Sequence, residues 1–599
     1  MCQILGSNGG YMWYLEKMKA LLSEGDLRRL KDIYEPTVVG VQLEDSRKSI
    51  CVMPDGEIRT YGYVDQSVIA GENVFYDPGA VRCYLSSRNC GLDWSFRYCD
   101  RGVMGASARI PWSGRYVTVF SRPDHPVSGT FVRISEIGPD DLSPREYKLC
   151  DRVYGDAFQP VAFEDCHRII TTAQYIDPET YNYTPAVFIS DDDGESFKII
   201  HLKSTPRHEV KYPDQGPRWN NNGSESTVCK LPDGRLMILA RTSLDCLYAY
   251  YSSDNGDTWT EGEPSRFHLT NTTPFLLNLS DGRTVLFWNN TRPLAIPDLN
   301  KETVPVHKAV FEGRGEFAFT NRDANHVAIT SDGESWTGFR EMFLNEIRNC
   351  ADYRVKGGIM SSRDKSSHQF QAIELPYNKV LVAFGQHFIA RRMMIFDLDW
   401  LYKNENHEDF QIGLKHMTTH MFVKSYSGSY TNKGYAGHCA FNRTDGALLV
   451  PDPDYTGAEA LQICRVHDKR LLSELQGAVW NFPAAHEGEI RIRLRVVGEG
   501  INVRLCDYHM NAGDPHAGYW SNAEFRLDAS VLPRNKWCGV RIVYYTSKNI
   551  CVYNEEELLF ECEFKRPTVN GLSYLHLQTA ADSEDFEGTL IGRLDFKAL

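Results

Sequence analysis

The sequence predicts an all-β protein: a β-propeller behind a short helical lead-in, followed by a two-sheet β-sandwich. Three observations predict this. A hairpin with a tight turn recurs through most of the chain, and an octapeptide Ser-x-Asp-x-Gly-x-x-Trp recurs between the hairpins. Beyond about residue 466 the repeat stops and strands of strict apolar–polar alternation take over.

The lead-in comes first. Apolar residues at helical spacing (Met12, Leu15, Met18, Leu21, Leu22, Leu27, Leu30) predict one helix from Tyr11 to about Tyr34, stopped by Pro36. The hairpin copies are clearest at their turns: M-P-D-G-E-I-R at Met53, I-P-W-S-G-R-Y at Ile110, L-P-D-G-R-L-M-I-L at Leu231 and L-S-D-G-R-T-V at Leu279. Others are L-P-Y-N-K-V-L at Leu375, R-T-D-G-A-L-L-V at Arg443 and a weaker one at Phe163. The octapeptide matches at Ser190–Phe197 and Ser252–Trp259, falls one residue short at Thr330–Trp336, and has Asn89 in the Asp place at Ser87–Trp94. Its Ser and Asp suit backbone hydrogen bonding, its Gly a tight bend and its Trp packing between sheets, so it is a structural device. Repetition at this period predicts about five to seven four-stranded blades, whose radial arrangement leaves only short edges. E-I-R-I-R-L-R-V-V after Glu487 and W-C-G-V-R-I-V-Y-Y after Trp537 predict the sandwich. The expected division is 1–37 helical, 38–466 propeller and 467–599 sandwich.

Composition narrows the function. A net charge of -14 disfavours a general nucleic-acid binder. No apolar run approaches the roughly eighteen residues of a membrane span. No basic segment followed by an apolar one marks a leader, so a cytoplasmic location is expected unless a leader has been removed. The sixteen cysteines show no metal-like spacing and are expected to be reduced. No cofactor is expected; an acidic loop such as Asp191-Asp192-Asp193 is where a structural calcium ion could sit.

The repeat also selects candidate site residues. Glu225 precedes its turn glycine, Gly234, by nine positions and Arg241 follows it by seven, so a doubled-back hairpin brings both to one rim. The same offsets select Arg122 and Asp124 with His125 after Gly114, and Asn289, Asn290 and Arg292 after Gly282. The copy turning at Asn378 begins near Gln369 and Gln371 and leaves at Gln386 and His387; the last copy begins at Tyr435 and leaves at Asp452 and Asp454. A long insert adds Arg322, Asp323 and His326. A structural rim more often carries Ser, Thr and Gly than this collection of arginines, amides, carboxylates and histidines. Plainer roles exist for each: a blade-to-blade ion pair for Arg241, a loop cap for Glu225, packing for the histidines and loop organisation for Asp397 and Asp399.

The hairpin with its octapeptide, the Asp-box, resembles a blade of the sialidase-like (BNR) propeller glycoside hydrolases. The resemblance implies arginines from separate blades clamping a substrate carboxylate, a Tyr nucleophile activated by a Glu, and an Asp as general acid/base. Carried onto this chain, Glu225 takes the activating or base role, Asp124 the acid and Tyr435 the nucleophile. Arg241, Arg122 and Arg292 form the clamp, and Asn289, Asn290, Arg322, His326, Gln386 and His387 complete the substrate-binding rim. Two departures stand out. The family's Phe/Tyr-Arg-Ile-Pro arginine sits at a strand top, whereas Ala108-Arg109-Ile110-Pro111 lies beside a turn, so the role is not carried onto Arg109. No Tyr-Ser-x-Leu motif occurs. The run R-R-M-M-I-F-D-L-D-W-L-Y from Arg391 to Tyr402 also resembles a divergent Asp-box group with an appended lectin-like, concanavalin-like sandwich. That group includes pectin-degrading hydrolases releasing 2-keto-3-deoxy sugar acids. The expected function is an exo-acting glycoside hydrolase removing a terminal acidic sugar, sialic acid-like or 2-keto-3-deoxy, from a glycan such as pectic rhamnogalacturonan. Two alternatives stay open: an exo-glycosidase or lyase on uronate-containing polysaccharide using a rim histidine, and a non-catalytic sugar-binding propeller.

Overall fold

The structure is a computed structural model describing residues 12–43, 50–64, 81–99, 107–122, 128–155, 159–209, 211, 215, 223–292, 322–344, 367–385, 390–426 and 441–599. Among the described residues, six four-stranded antiparallel sheets span 50–98, 108–150, 161–201, 224–268, 275–344 and 371–397. They are the blades of a propeller, inside the expected range. The sixth blade is completed by the N-terminal strand Thr37–Gly40, whose Thr37 pairs with Ile395 and Val38 with Met394. That exchange closes the ring, because a strand preceding the first blade becomes the outer strand of the last.

The apolar clusters follow the ring. Val132 and Ile134 pack with Ile169 and Phe188, joining blades two and three, and Ile170 and Val187 pack with Ile238 and Tyr250, joining three and four. Blades four and five meet through Leu239, Phe267 and Trp288, and five and six through Phe287, Val327, Val382 and Phe396. Ile50 and Ile58 of blade one meet Leu381 and Ile395 of blade six, with Tyr14, Met18 and Leu30 of the lead-in beneath them. The lead-in is two helices, Met12–Leu21 and Glu24–Asp32, where the spacing predicts one. Ser23 explains the break: its hydroxyl accepts from Asp26 N at 3.1 Å and caps a new helix, worth about 1 kcal/mol.

All four Asp-boxes share one geometry. The hydroxyls of Ser87, Ser190, Ser252 and Thr330 accept from the backbone N–H of Gly91, Gly194, Gly256 and Gly333 at 2.8, 2.9, 2.8 and 2.9 Å. Thr258 N donates to Asp254 at 2.9 Å, and Asp93 N donates to Asn89 at 3.0 Å. The box with Asn89 therefore works as the others do. Hydrogen bonds from Ser335 and Glu334 backbone N–H hold the Asp332 carboxyl down at about 2. Blade two has a related turn that the motif missed, with Gly138 N donating to Ser135 Oγ at 3.0 Å and Ser135 Oγ to Asp141 at 2.7 Å. Each carboxylate of Asp191-Asp192-Asp193 is engaged, by Arg168, Ser196 and Trp112 Nε1 respectively.

The sandwich begins earlier than expected. Glu405–Glu408, Leu448–Pro451 and Glu459–Arg465 join its large sheet, and Met417–Thr418 joins its five-stranded sheet. The turn at Asp445-Gly446, expected to close a last propeller hairpin, instead connects two pairings: Phe441–Thr444 pairs with Met421–Tyr426, and Leu448–Pro451 with Glu459–Arg465. Sheet membership places the change of architecture near residue 403, not 466. Glu487–Val496 alternates as expected, inner side chains packed on Trp480 and Phe482 of the opposing sheet. By contrast every residue of Leu572–Thr579 is buried. Leu575 and Leu577 line the sandwich core; on the other face Tyr574 meets blade five, while His576 and Gln578 bond the sandwich's own loop at Asn511, Ala512 and Asp514.

Candidate functional site

The inner strands of all six blades line an axial cavity of about 150 Å³. Tyr14 and Arg109 lie along it, and Thr227 and Thr172 mark the fourth and third blades. Arg109 directly precedes the turn of blade two, where Ile110 N pairs with Arg115 O at 2.7 Å. That is the turn end of the axis, and Glu225 stands at the other, two residues before Thr227.

Glu225 is a bulge residue: Ser224 pairs with Arg241 and Ser226 with Ala240, so Glu225 is extra in the ladder. Its backbone is left-handed, at φ 48°. Two further non-glycine residues leading into neighbouring inner strands share that conformation, Asn271 of blade five at 54° and Gln369 of blade six at 69°. Such residues are uncommon and cost of order 1–3 kcal/mol each, least for Asn. Three on consecutive blades therefore mark a place where side-chain position outweighs backbone ease.

Their side chains converge. Arg241 Nη1 ion-pairs with Glu225 Oε2, which also accepts from Thr273 Oγ1 at 2.6 Å. Gln369 Nε2 donates to Glu225 Oε1 at 3.3 Å, and Arg241 Nε donates to Asn271 Oδ1 at 2.7 Å. Arg322 is fully buried and donates from Nη2 to the Asn271 carbonyl at 2.6 Å. His368 is also buried, its Nε2 3.3 Å from Gln369 Nε2. Among the described residues, Arg241 Nη2 and Asn271 Nδ2 find no acceptor. The cluster thus offers a fixed carboxylate beside uncommitted N–H donors, a combination able to take a proton from a hydroxyl and to bind an anion.

Of the residues selected from sequence, Glu225, Arg241 and Arg322 come together here. Asn289, Asn290, Arg292 and His326 do not; they lie at the seam between blade five and the sandwich. Asn290 Nδ2 donates to Asp507 O at 3.0 Å, and Arg292 N donates to His509 O at 2.9 Å. Asn289 Nδ2 bonds Ala324 O at 2.5 Å within the blade. His326 Nδ1 accepts from Asn290 N at 3.0 Å, and its Nε2 is bonded to Tyr574 OH, which donates to Glu341 Oε2 at 2.9 Å. Burial lowers the His326 pKa to about 3 and keeps it neutral. The offset rule found the right end of each strand, but the sandwich loop carrying Asp507 and His509, with Tyr574 beside it, covers blade five there. Arg122 ends the second strand of blade two but reaches toward its outer strand, paired with Glu146 at 2.8 Å and set over the Phe131 ring at 4.7 Å. Asp124, Tyr435, Gln386 and His387 fall outside the described residues. Asp452 and Asp454 pair with Arg493 and Arg495 of the sandwich at 2.6 and 3.2 Å.

The sequence reading missed Asn271, Thr273 and His368. Asn271 sits in Thr270-Asn271-Thr272-Thr273, a polar run just before an apolar inner strand, and that position is the signal that could have found it.

Residues 216–350 match the BNR repeat-like domain. The fold is an Asp-box β-propeller with an appended β-sandwich. No curated protein matches the chain. Among solved structures it is similar to a sialidase, with TM-score 0.28 and 12% identity over 95% of this chain, which spans only 52% of that one. The Trypanosoma rangeli sialidase in complex with sialic acid gives 0.34 and 10%, covering 95% of each chain. The exo-β-1,3-galactanase of Phanerochaete chrysosporium with galactose gives 0.29 and 7%, covering 94% of this chain and 100% of that one. Overlaps this loose carry no argument, and the fold rests on the sheets and boxes themselves.

Proposed function

We propose that the protein is an exo-acting glycoside hydrolase removing a terminal acidic sugar, sialic acid-like or 2-keto-3-deoxy, from a complex glycan such as pectic rhamnogalacturonan. The supporting observation is the Glu225 carboxylate fixed by Arg241 and Thr273 while Arg241 Nη2 and Asn271 Nδ2 keep uncommitted donors beside it. Arg241 and Asn271 bind the sugar carboxylate, and Glu225 takes a proton from the group that attacks the anomeric carbon. The chain is taken to act in the cytoplasm.

The test is release of free 2-keto-3-deoxy acids, read by periodate–thiobarbiturate colour, from sialylated glycans and from rhamnogalacturonan oligosaccharides. Glu225→Gln lowers the rate by roughly 10²–10⁴-fold, the range for a general acid/base group. Unchanged turnover in that variant removes Glu225 from the mechanism, and silence of the parent on both substrates sinks the keto-acid reading. A second reading is favoured by one observation, the burial of His368 beside Gln369 in the same cluster. In it a histidine does the proton transfer on a uronate-containing chain, and activity lost in His368→Ala but kept in Glu225→Gln decides for it. His326 does not serve that role, with both ring nitrogens bonded at the seam.

A further inference from the structure

A second cavity, of about 420 Å³, opens between the fourth blade and the sandwich. That is within the roughly 300–1,000 Å³ of small-ligand clefts. The propeller supplies Asp245, Arg266, His268 and, from the fifth blade, Arg292; the sandwich supplies Asp507, Trp520, Arg566 and Asn570. Three arginines face two aspartates, so the lining is cationic before His268 is considered.

The arginines are held in place. Arg292 lies 3.0 Å from the Trp520 ring centroid and 3.6 Å from Asp245, with its backbone N–H bonded to His509 O. Arg566 lies 4.6 Å from the same ring. Stacking on an indole orders a guanidinium fork, which then recognises a carboxylate at little further entropy cost. Two acceptors complete the lining. Asp507 Oδ1 and Asn570 Oδ1 accept no hydrogen bond among the described residues, although Asp507 and Asn570 are only 4% and 7% exposed; His268 Nε2 faces Asp507 Oδ1 at 3.6 Å, beyond hydrogen-bond distance. Buried acceptors left open call for donor partners.

We propose that this cleft is a second binding site, for a carboxylate-bearing sugar unit. Arg566 and Arg266 take the carboxylate, and Asp507 and Asn570 take hydroxyl protons. A bare phosphate satisfies the cations but meets the two open acceptors without enough donors, and a neutral sugar leaves the arginines unused. The site draws on both domains, so it also gives their apposition a purpose that packing alone does not.

The test uses the full chain carrying Glu225→Gln, titrated calorimetrically with digalacturonate, with galactobiose and with inorganic phosphate. Saturable binding of digalacturonate is expected, at least tenfold tighter than either control. Adding Arg566→Gln weakens it about tenfold or more, the loss of a charge-assisted contact, while the melting temperature holds. Arg566→Lys, which keeps the charge but not the fork, serves if the glutamine variant does not fold and is expected to weaken binding too. Absent digalacturonate binding, equal binding of galactobiose or phosphate, or indifference to Arg566 each overturns the proposal. Because the readout is binding, failure of the hydrolase reading leaves this result standing.

Discussion

One offset rule picked out two regions, and the molecule treats them oppositely. At the mouth of the axis, Glu225, Arg241, Asn271 and Gln369 come from three blades; Glu225, Asn271 and Gln369 hold left-handed backbone, and Arg241 and Asn271 retain uncommitted donors. At the seam, Asn290, Arg292 and His326 bond directly to Asp507, His509 and Tyr574 of the sandwich. Both groups sit at the same end of their hairpins. The difference is what lies above them: a repeat fixes where a residue stands within its blade but not what covers the blade. Strain and unspent donors are therefore better marks of a working site than polarity is.

The largest expected effect breaks the first region. Arg241→Met leaves the Glu225 carboxylate buried beside an apolar group, which costs about 3–5 kcal/mol when one partner of a buried pair is removed. Adding Glu225→Gln removes the orphaned charge and restores much of the lost stability, though not turnover. Urea denaturation of both single variants and the double variant gives the coupling. Additive losses would show that the pair is not coupled and that the cluster is ordinary packing.

A smaller effect belongs to the seam. The unfolded chain protonates His326 near 6.5, whereas the folded chain resists until about 3. Stability from keeping this ring neutral is fully present above about 6.5 and falls as the pH drops toward 3. Between pH 6.5 and 5 the loss is about 2 kcal/mol at 1.36 kcal/mol per unit. His326→Gln shrinks that acid sensitivity in melts compared at the two pH values. His576, buried and also lowered to about 3, keeps part of the sensitivity in the variant. An unchanged pH dependence would remove His326 from the seam's acid response.

The fold was legible where chemistry is local. A Ser hydroxyl on a Gly N–H and an Asp on the next turn are fixed by four or five residues, so even the box with Asn89 declared a blade. The domain boundary was not legible, because Arg443-Thr444-Asp445-Gly446 is a sound turn in any β context and only distant pairings show that it joins separate sheets. The seam left one unread trace. L-S-Y-L-H-L-Q-T at Leu572–Thr579 contains no charge, unlike E-I-R-I-R-L-R-V at Glu489, because its second face is covered. Glu225 and Arg241 were readable because one hairpin carries both. Gln369 was marked by the start of its own hairpin copy, whereas Asn271 and Thr273 were not, since they lie outside the turn motif of blade five.

The smallest expected effect tests the same distinction inside the propeller. Arg122 and Arg241 both end the second strand of their blade and look equivalent in sequence. Arg241 is 4% exposed and bound to a buried carboxylate, whereas the Arg122 side chain is 40% exposed, paired with Glu146. An exposed pair contributes about 0–1 kcal/mol, and truncating Arg122 also uncovers Phe120 and Phe131 only in part. Arg122→Ala is therefore expected to shift stability by no more than about 1 kcal/mol. Keto-acid release should stay within twofold of the parent, since Arg122 reaches neither Glu225 nor Asn271 among the described contacts. A large loss of turnover with stability intact would place a clamp arm on blade two after all, and would move the site from the mouth formed by blades four to six across the axis.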